Sequence, residues 1–130
     1  DGEHQRHVGH RVDVLVLGAA EVVQRLAPDR VDADHLDRLV GDLCRVAAVS
    51  ERALQNAFKE TMGLSPLAYL TRVRLHRVRE ALLEGTQGST TVSVEALKWG
   101  FWHFGEFSRV YKNCFGELPS ETLQRAPGTR

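Results

Sequence analysis

Two stretches of this chain repeat one pattern. Residues 58–66 read FKETMGLSP and residues 111–119 read YKNCFGELP, an aromatic, a lysine, a glycine and a proline at the same spacing, 53 positions apart. The same shift lays Leu54 on Phe107 and Ala57 on Val110. Upstream it lays Ser50 on His103, Arg45 on Lys98, Cys44 on Leu97, Leu43 on Ala96 and Asp42 on Glu95. Each recurring residue type has a mechanical reason. Leu54, Ala57 and Phe58 at i, i+3 and i+4 make one apolar helix face, and Phe107, Val110 and Tyr111 make another. Ser50 suits the N-cap of the helix it opens. Gly63 and Gly116 suit the left-handed position that ends a helix, and Pro66 and Pro119 suit the first turn of the next. Each copy therefore reads as helix, short turn, helix, glycine stop, proline. That is the helix-turn-helix pattern of DNA-binding proteins. Helical hairpins that bind nothing share it, but two copies with terminated second helices favour DNA.

The rest of the chain is also helical in period. Apolar residues recur at three and four, giving helices over 12–27, near 35–47, 50–61, 66–85, 92–99 and 103–114, and a short last one from Ser120. The run VDVLVL by itself also fits a strand. DRVDAD and TQGSTT read as loops, and the closing APGTR as a frayed tail. The expected organisation is a flexible segment 1–11, a first helix-turn-helix subdomain 12–66, a linker helix 67–85, a second subdomain 86–125 and a tail 126–130.

Composition narrows the class. Apolar residues make up 42% of 130, enough for a core. No apolar run approaches the roughly 20 residues of a membrane helix, and DGEHQRHVGH is too polar for a signal peptide. Cys44 and Cys114 sit among helix-patterned apolar residues, read as buried thiols in a reducing cytoplasm. The formal net charge is zero, which argues against an indiscriminate polycation. It averages an acidic segment 1–49 and a basic segment 50–130. Within RVRLHRVR (72–79), four arginines and a histidine come without an acid; such a face suits phosphates, or simply solvent. Met62 is the only methionine, so the chain is expected to be a piece of a longer protein. His4, His7 and His10 have a metal-like spacing but lie in a polar segment. No metal, cofactor or catalytic constellation is expected.

From Asp42 to Leu123 the chain resembles the AraC/XylS family of bacterial transcription regulators. The pieces are VSERALQNAFKETMGLSPLAYL (49–70), RLHRVREALL (74–83) and ALKWGFWHFGEFSRVYKNCFGELPSETL (96–123), in that order. The resemblance implies an all-α fold of about seven helices, with two helix-turn-helix motifs joined by one long helix. A joining helix of about 19 residues spans roughly 28 Å, comparable with the roughly 34 Å between successive major-groove faces. The implied function is sequence-specific binding of double-stranded DNA by a bacterial regulator, expected to be an activator. The implied partners are RNA polymerase and an effector-sensing or dimerising domain elsewhere in the protein. The alternative is a helical protein-interaction module of the same fold.

On the first recognition helix, Arg52, Gln55 and Asn56 match the family's base-reading positions. Arg suits guanine, and Gln or Asn suits adenine. Ser50 and Lys59 fit phosphate contacts. On the second, the outward residues are Phe104, Gly105, Glu106, Ser108, Arg109 and Lys112. Arg109 is the best candidate base reader and Lys112 suits phosphate. Phe104 fits either a thymine methyl or the core, and Glu106 either accepts from cytosine or repels phosphate. Two residues depart from the family pattern. Glu95 stands where an apolar residue is usual, which predicts a local shift or an exposed glutamate. His103 replaces a good capping residue, though it fits a phosphate contact. The first motif is therefore expected to carry most of the specificity. The second is expected to supply backbone grip or a polymerase contact.

Overall fold

The computed structural model describes residues 2–27, 33–85 and 88–125. Among the described residues seven helices follow one another: α1 Gly2–Leu26, α2 Ala33–Ala47, α3 Glu51–Met62, α4 Pro66–Glu84, α5 Val92–Lys98, α6 Phe104–Phe115 and α7 Pro119–Gln124. No β-strand forms among the described residues, and VDVLVL is helical. The expected elements are all present, but α1 starts at Gly2 rather than Val12. Nothing in 2–11 breaks a helix. Its Glu, Gln and Arg are good helix formers, but without an apolar stripe the segment carries no periodic signal. Most of the DRVDAD loop, the start of TQGSTT and the APGTR tail lie outside the described residues.

The chain divides into two compact units: Asp1–Leu26 with Val31–Thr71, and Ala27–Arg30 with Arg72–Arg130. In the first unit, α1 buries Val12, Val16, Ala19, Ala20 and Val23, the spacing of one helix face. Leu36, Val40 and Cys44 of α2, Leu54 and Phe58 of α3 and Leu70 of α4 complete the core. The Phe58 ring meets Tyr69 edge-on, centroids 5.5 Å apart, and the Gln24 amide donates to the Tyr69 hydroxyl at 2.8 Å. Burial pushes the Cys44 thiol above its ordinary value, with Glu51 adding to the rise.

The core of the second unit is built from Leu75, Val78 and Leu82 of α4, Ala96 of α5, and Phe107 and Tyr111 of α6. Rings run through it in sequence: Phe101 on Phe107 at 4.8 Å, Phe107 on Tyr111 at 5.7 Å, Tyr111 on Phe115 at 4.7 Å. The basic stretch of α4 is partly structural. His76 packs edge-on against Phe115, the Arg79 guanidinium lies 5.2 Å from the same ring, and Arg77 faces Glu80 at 3.5 Å. Beneath α7, Tyr111 donates from its buried hydroxyl to Thr122 at 2.7 Å. Thr122 donates to Glu117, which also accepts from Arg125 at 2.8 Å. Desolvation raises the Tyr111 hydroxyl above its usual value. Cys114 is only half-buried, unlike Cys44, and both thiols are free.

The two turns differ by one residue. In the first motif, α2 closes with the Ala48 amide donating to the Arg45 carbonyl and the Val49 amide to the Cys44 carbonyl. In the second, the Gly100 amide donates to Leu97 and the Phe101 amide to Ala96. The left-handed residue is Ala48 in one and Gly100 in the other, at φ 57° and 89°. Upstream of the turn, the repeat therefore runs at a shift of 52, not 53. Burial agrees: Cys44 is 2% exposed and corresponds to buried Ala96, whereas Leu97, its expected partner, is 41% exposed. The local shift expected around Glu95 is thus present. Glu95 itself is buried, not exposed. It accepts from the Thr90 hydroxyl and faces Lys98 at 3.5 Å. A buried carboxylate needs such partners. The extra residue in the second turn, between Phe101 and the cap His103, is Trp102.

Candidate nucleic-acid interface

Each recognition helix is held by one apolar face and presents the other to solvent. In α3 the hold comes from Leu54 and Phe58, with Ala57 half-buried. Ser50 caps the helix, its hydroxyl accepting from the Ala53 amide at 3.0 Å. Gly63 ends it in the left-handed region at φ 76°, its amide bonded to the Lys59 carbonyl. Fixed at both ends, α3 projects Arg52, Gln55, Asn56 and Lys59 as exposed side chains at i, i+3, i+4 and i+7. Glu51 is exposed as well, but its carboxylate sits so close over Gly41 that a Cβ there would lie 2.7 Å from it. Among the described residues no ion pair engages Arg52 or Lys59.

In α6 the frame is the same and the face is not. Phe107 and Tyr111 are buried, and Gly116 ends the helix at φ 78°. His103 occupies the cap position but makes no capping hydrogen bond from its side chain, as its ring geometry leads one to expect. His103, Phe104, Gly105, Glu106, Arg109 and Lys112 are exposed, while Ser108 is half-buried rather than outward. Phe104 thus belongs to the surface and not to the core. Arg109 is already engaged: its Nε donates to Glu106 Oε2 at 3.1 Å and a terminal nitrogen donates to Oε1. The Arg109 hydrogen bond holds the Glu106 carboxyl below the usual carboxylate range, and Arg109 is raised in turn. An i, i+3 acid–base pair is legible in sequence, but its bidentate closure is a matter of side-chain geometry.

Two features of these motifs escaped the pattern. Thr122 is a fully buried hydroxyl in a segment that reads only as a short polar helix. Trp102 is hidden by the assumption of one constant shift. Among the described residues, no group of His, Cys, Asp and Glu is arranged to hold a metal ion. The side chains of His4, His7 and His10 lie outside the described residues.

Known proteins bear on this geometry. A family model described as "Helix-turn-helix domain" matches residues 43–125. The crystal structure of a probable AraC family transcriptional regulator from Rhodopseudomonas palustris is 35% identical. It superposes with a TM-score of 0.70, covering 86% of this chain and 96% of that one. An AraC-type regulator from Chromobacterium violaceum aligns at 26% identity and a TM-score of 0.68, over 87% of this chain and 93% of that one. The probable thc operon regulatory protein of Rhodococcus erythropolis is 37% identical over 106 residues, 81% of this chain and 32% of that protein. The XylDLEGF operon transcriptional activator of Pseudomonas putida is 35% identical over 83 residues, 64% of this chain and 26% of that protein. The chain spans about a third or less of the length of these two relatives. Fold and exposed helix faces together define a DNA-binding domain with two helix-turn-helix motifs. The chain belongs to the AraC/XylS family of transcription regulators.

Proposed function

We propose that the chain binds double-stranded DNA sequence-specifically as part of a bacterial transcription activator, each recognition helix entering a major groove. The observation that carries this is the exposed row Arg52, Gln55, Asn56 and Lys59 on a helix capped at both ends. Arg52 reads guanine, Gln55 and Asn56 read adenine, and Ser50 and Lys59 meet phosphates. In the second motif Lys112 and His103 meet phosphates, Phe104 touches a thymine methyl, and Arg109 reads a base only when Glu106 releases it or reads alongside it. The work is binding rather than catalysis, in the cytoplasm, where a bacterial chromosome lies. RNA polymerase is the partner that activation requires. An effector-sensing or dimerising domain is the other, and Val14, Leu17 and Val22, exposed on α1, offer apolar surface for it to cover.

The test is selection of a preferred site from random duplex, followed by titration at two salt concentrations. Phosphate contacts predict a steep loss of affinity with salt. Little binding at either concentration would instead indicate a protein-interaction module.

A further inference from the structure

Glu106 is the third residue of α6, the place from which a glutamate reaches back to the amide of the capping residue. In α7, Glu121 stands at that same place and does so: its Oε1 accepts from the Leu118 amide at 2.9 Å. Glu106 instead turns both oxygens to Arg109, three residues on, accepting from its Nε at 3.1 Å and from its Nη2. The start of α6 is left without a side-chain cap. Both side chains of the pair are 60% exposed, and an ion pair in water adds little to stability. Neither the helix start nor the fold therefore accounts for the pair. What it does fix is the guanidinium. Arginine's planar head carries five N–H donors in a rigid fork. The Nε–Nη2 edge is closed on Glu106, which leaves the Nη1–Nη2 edge, two parallel donors, to another acceptor.

We infer that Glu106 is a positioning residue: it holds Arg109 with its outer edge set for guanine, so that the closed pair reads a G·C base pair as one unit. This rests on the DNA-binding reading above and names both the base and the residue that makes the choice. Several acceptors compete for an arginine in a major groove. A phosphate is an anion, and a carboxylate bound to the same guanidinium repels it. Adenine, thymine and cytosine each put a donor or a methyl group where a second acceptor would be needed. Guanine alone offers two neutral acceptors, N7 and O6, side by side. A free arginine takes phosphate readily. The held one gives up that affinity and gains selectivity, because its orientation is set before the duplex arrives. Glu106 stays charged to a lower pH than an ordinary carboxylate because Arg109 hydrogen-bonds it, so the brace is in place at neutral pH.

The experiment takes the 130-residue chain, the site it selects from random duplex, and copies of that site with each base pair replaced in turn. Arg109→Ala should flatten the preference at one G·C pair about fivefold, the low end for a bidentate base contact. Arg109→Lys should do the same, since an ammonium has no fork. Glu106→Gln should flatten the same pair about threefold, the worth of ordering one long side chain. It should also bind unselected duplex more tightly, with a salt slope steeper by about one phosphate contact. The double variant Glu106→Gln/Arg109→Ala should lose no more preference than Arg109→Ala alone. An unchanged preference in Glu106→Gln, or a change at a base pair other than the one Arg109 governs, would overturn the inference; the latter would make Glu106 a reader in its own right. An Arg109-dependent pair other than G·C would overturn it too. If no α6 variant changes a preference while Arg52→Ala does, the inference falls and the DNA reading survives. A wild type that binds no duplex ends both.

Discussion

The helices α3 and α6 are the same object mechanically and different objects chemically. Both run twelve residues, both bury an aromatic one turn after another apolar anchor, and both stop at a left-handed glycine followed by a proline-led helix. Their solvent faces diverge. One has a start capped by a side chain and an arginine that no ion pair engages among the described residues; the other lacks a side-chain cap, has its arginine tied to glutamate and follows a turn with an added tryptophan. Backbone requirements have kept the frames alike, because few residues satisfy a left-handed stop or a buried ring site. The outward positions carry no such requirement and are free to specialise. If the two faces divide the labour of reading, as proposed for Arg52 and Arg109, that division can be broken at several points.

The largest effects should be equal in the two copies. Phe58→Ala and Tyr111→Ala each empty a fully buried ring site, and each should cost about 3–5 kcal/mol in its own unit, measured by chemical denaturation. A severe loss in one and tolerance in the other would break the equivalence of the frames. Next in size, Arg52→Ala should cost about 1–3 kcal/mol on the selected site and relax its sequence preference. Arg109→Ala should cost less, since its partner is intramolecular in the free protein. Equal losses would erase the proposed division. Smaller again, Ser50→Ala should lose about 1 kcal/mol of stability with its cap bond. His103→Ser should gain a fraction of that, because α6 lacks a side-chain cap to begin with. The smallest effect is electrostatic. Glu106 titrates below the ordinary carboxylate value because Arg109 hydrogen-bonds its charged form. The pair's contribution is complete above that ordinary value and is lost as pH falls through the lowered one. Carboxyl resonances should show the Glu106 midpoint rising in Arg109→Ala; the same midpoint in both proteins would mean the pair does not persist in solution.

Much of this architecture can be read from residues because it rests on local rules. Caps, glycine stops and prolines declare helix limits, and the i, i+3, i+4 anchors declare which face of α3 and α6 turns inward. The illegible parts depend on what one element does to another. The one-residue difference between the turns is invisible when a single shift is imposed, since Leu97 on Cys44 looks as plausible as Ala96 on Cys44 until burial separates them. Glu95 reads as a misfit because its burial depends on how α5 packs, although its partners, Thr90 and Lys98, lie within five residues of it in the chain. The helix over 2–11 is missed for the opposite reason: it has propensity without a stripe. On the candidate interface, exposure of the polar row in α3 follows from period alone. The engagement of Arg109 requires knowing rotamers.

The helix α4 belongs to both halves. Leu70 serves the core of the first unit, and Leu75, Val78 and Leu82 serve the second. A gene fragment ending at Thr71 would leave the first half with six residues of that helix, Pro66–Thr71, well short of the roughly 12–15 that an isolated helix needs in water. Modular shuffling of these motifs between regulators would therefore have to carry the whole helix with whichever half moves, and one of its two ends would always arrive as a guest in a foreign core.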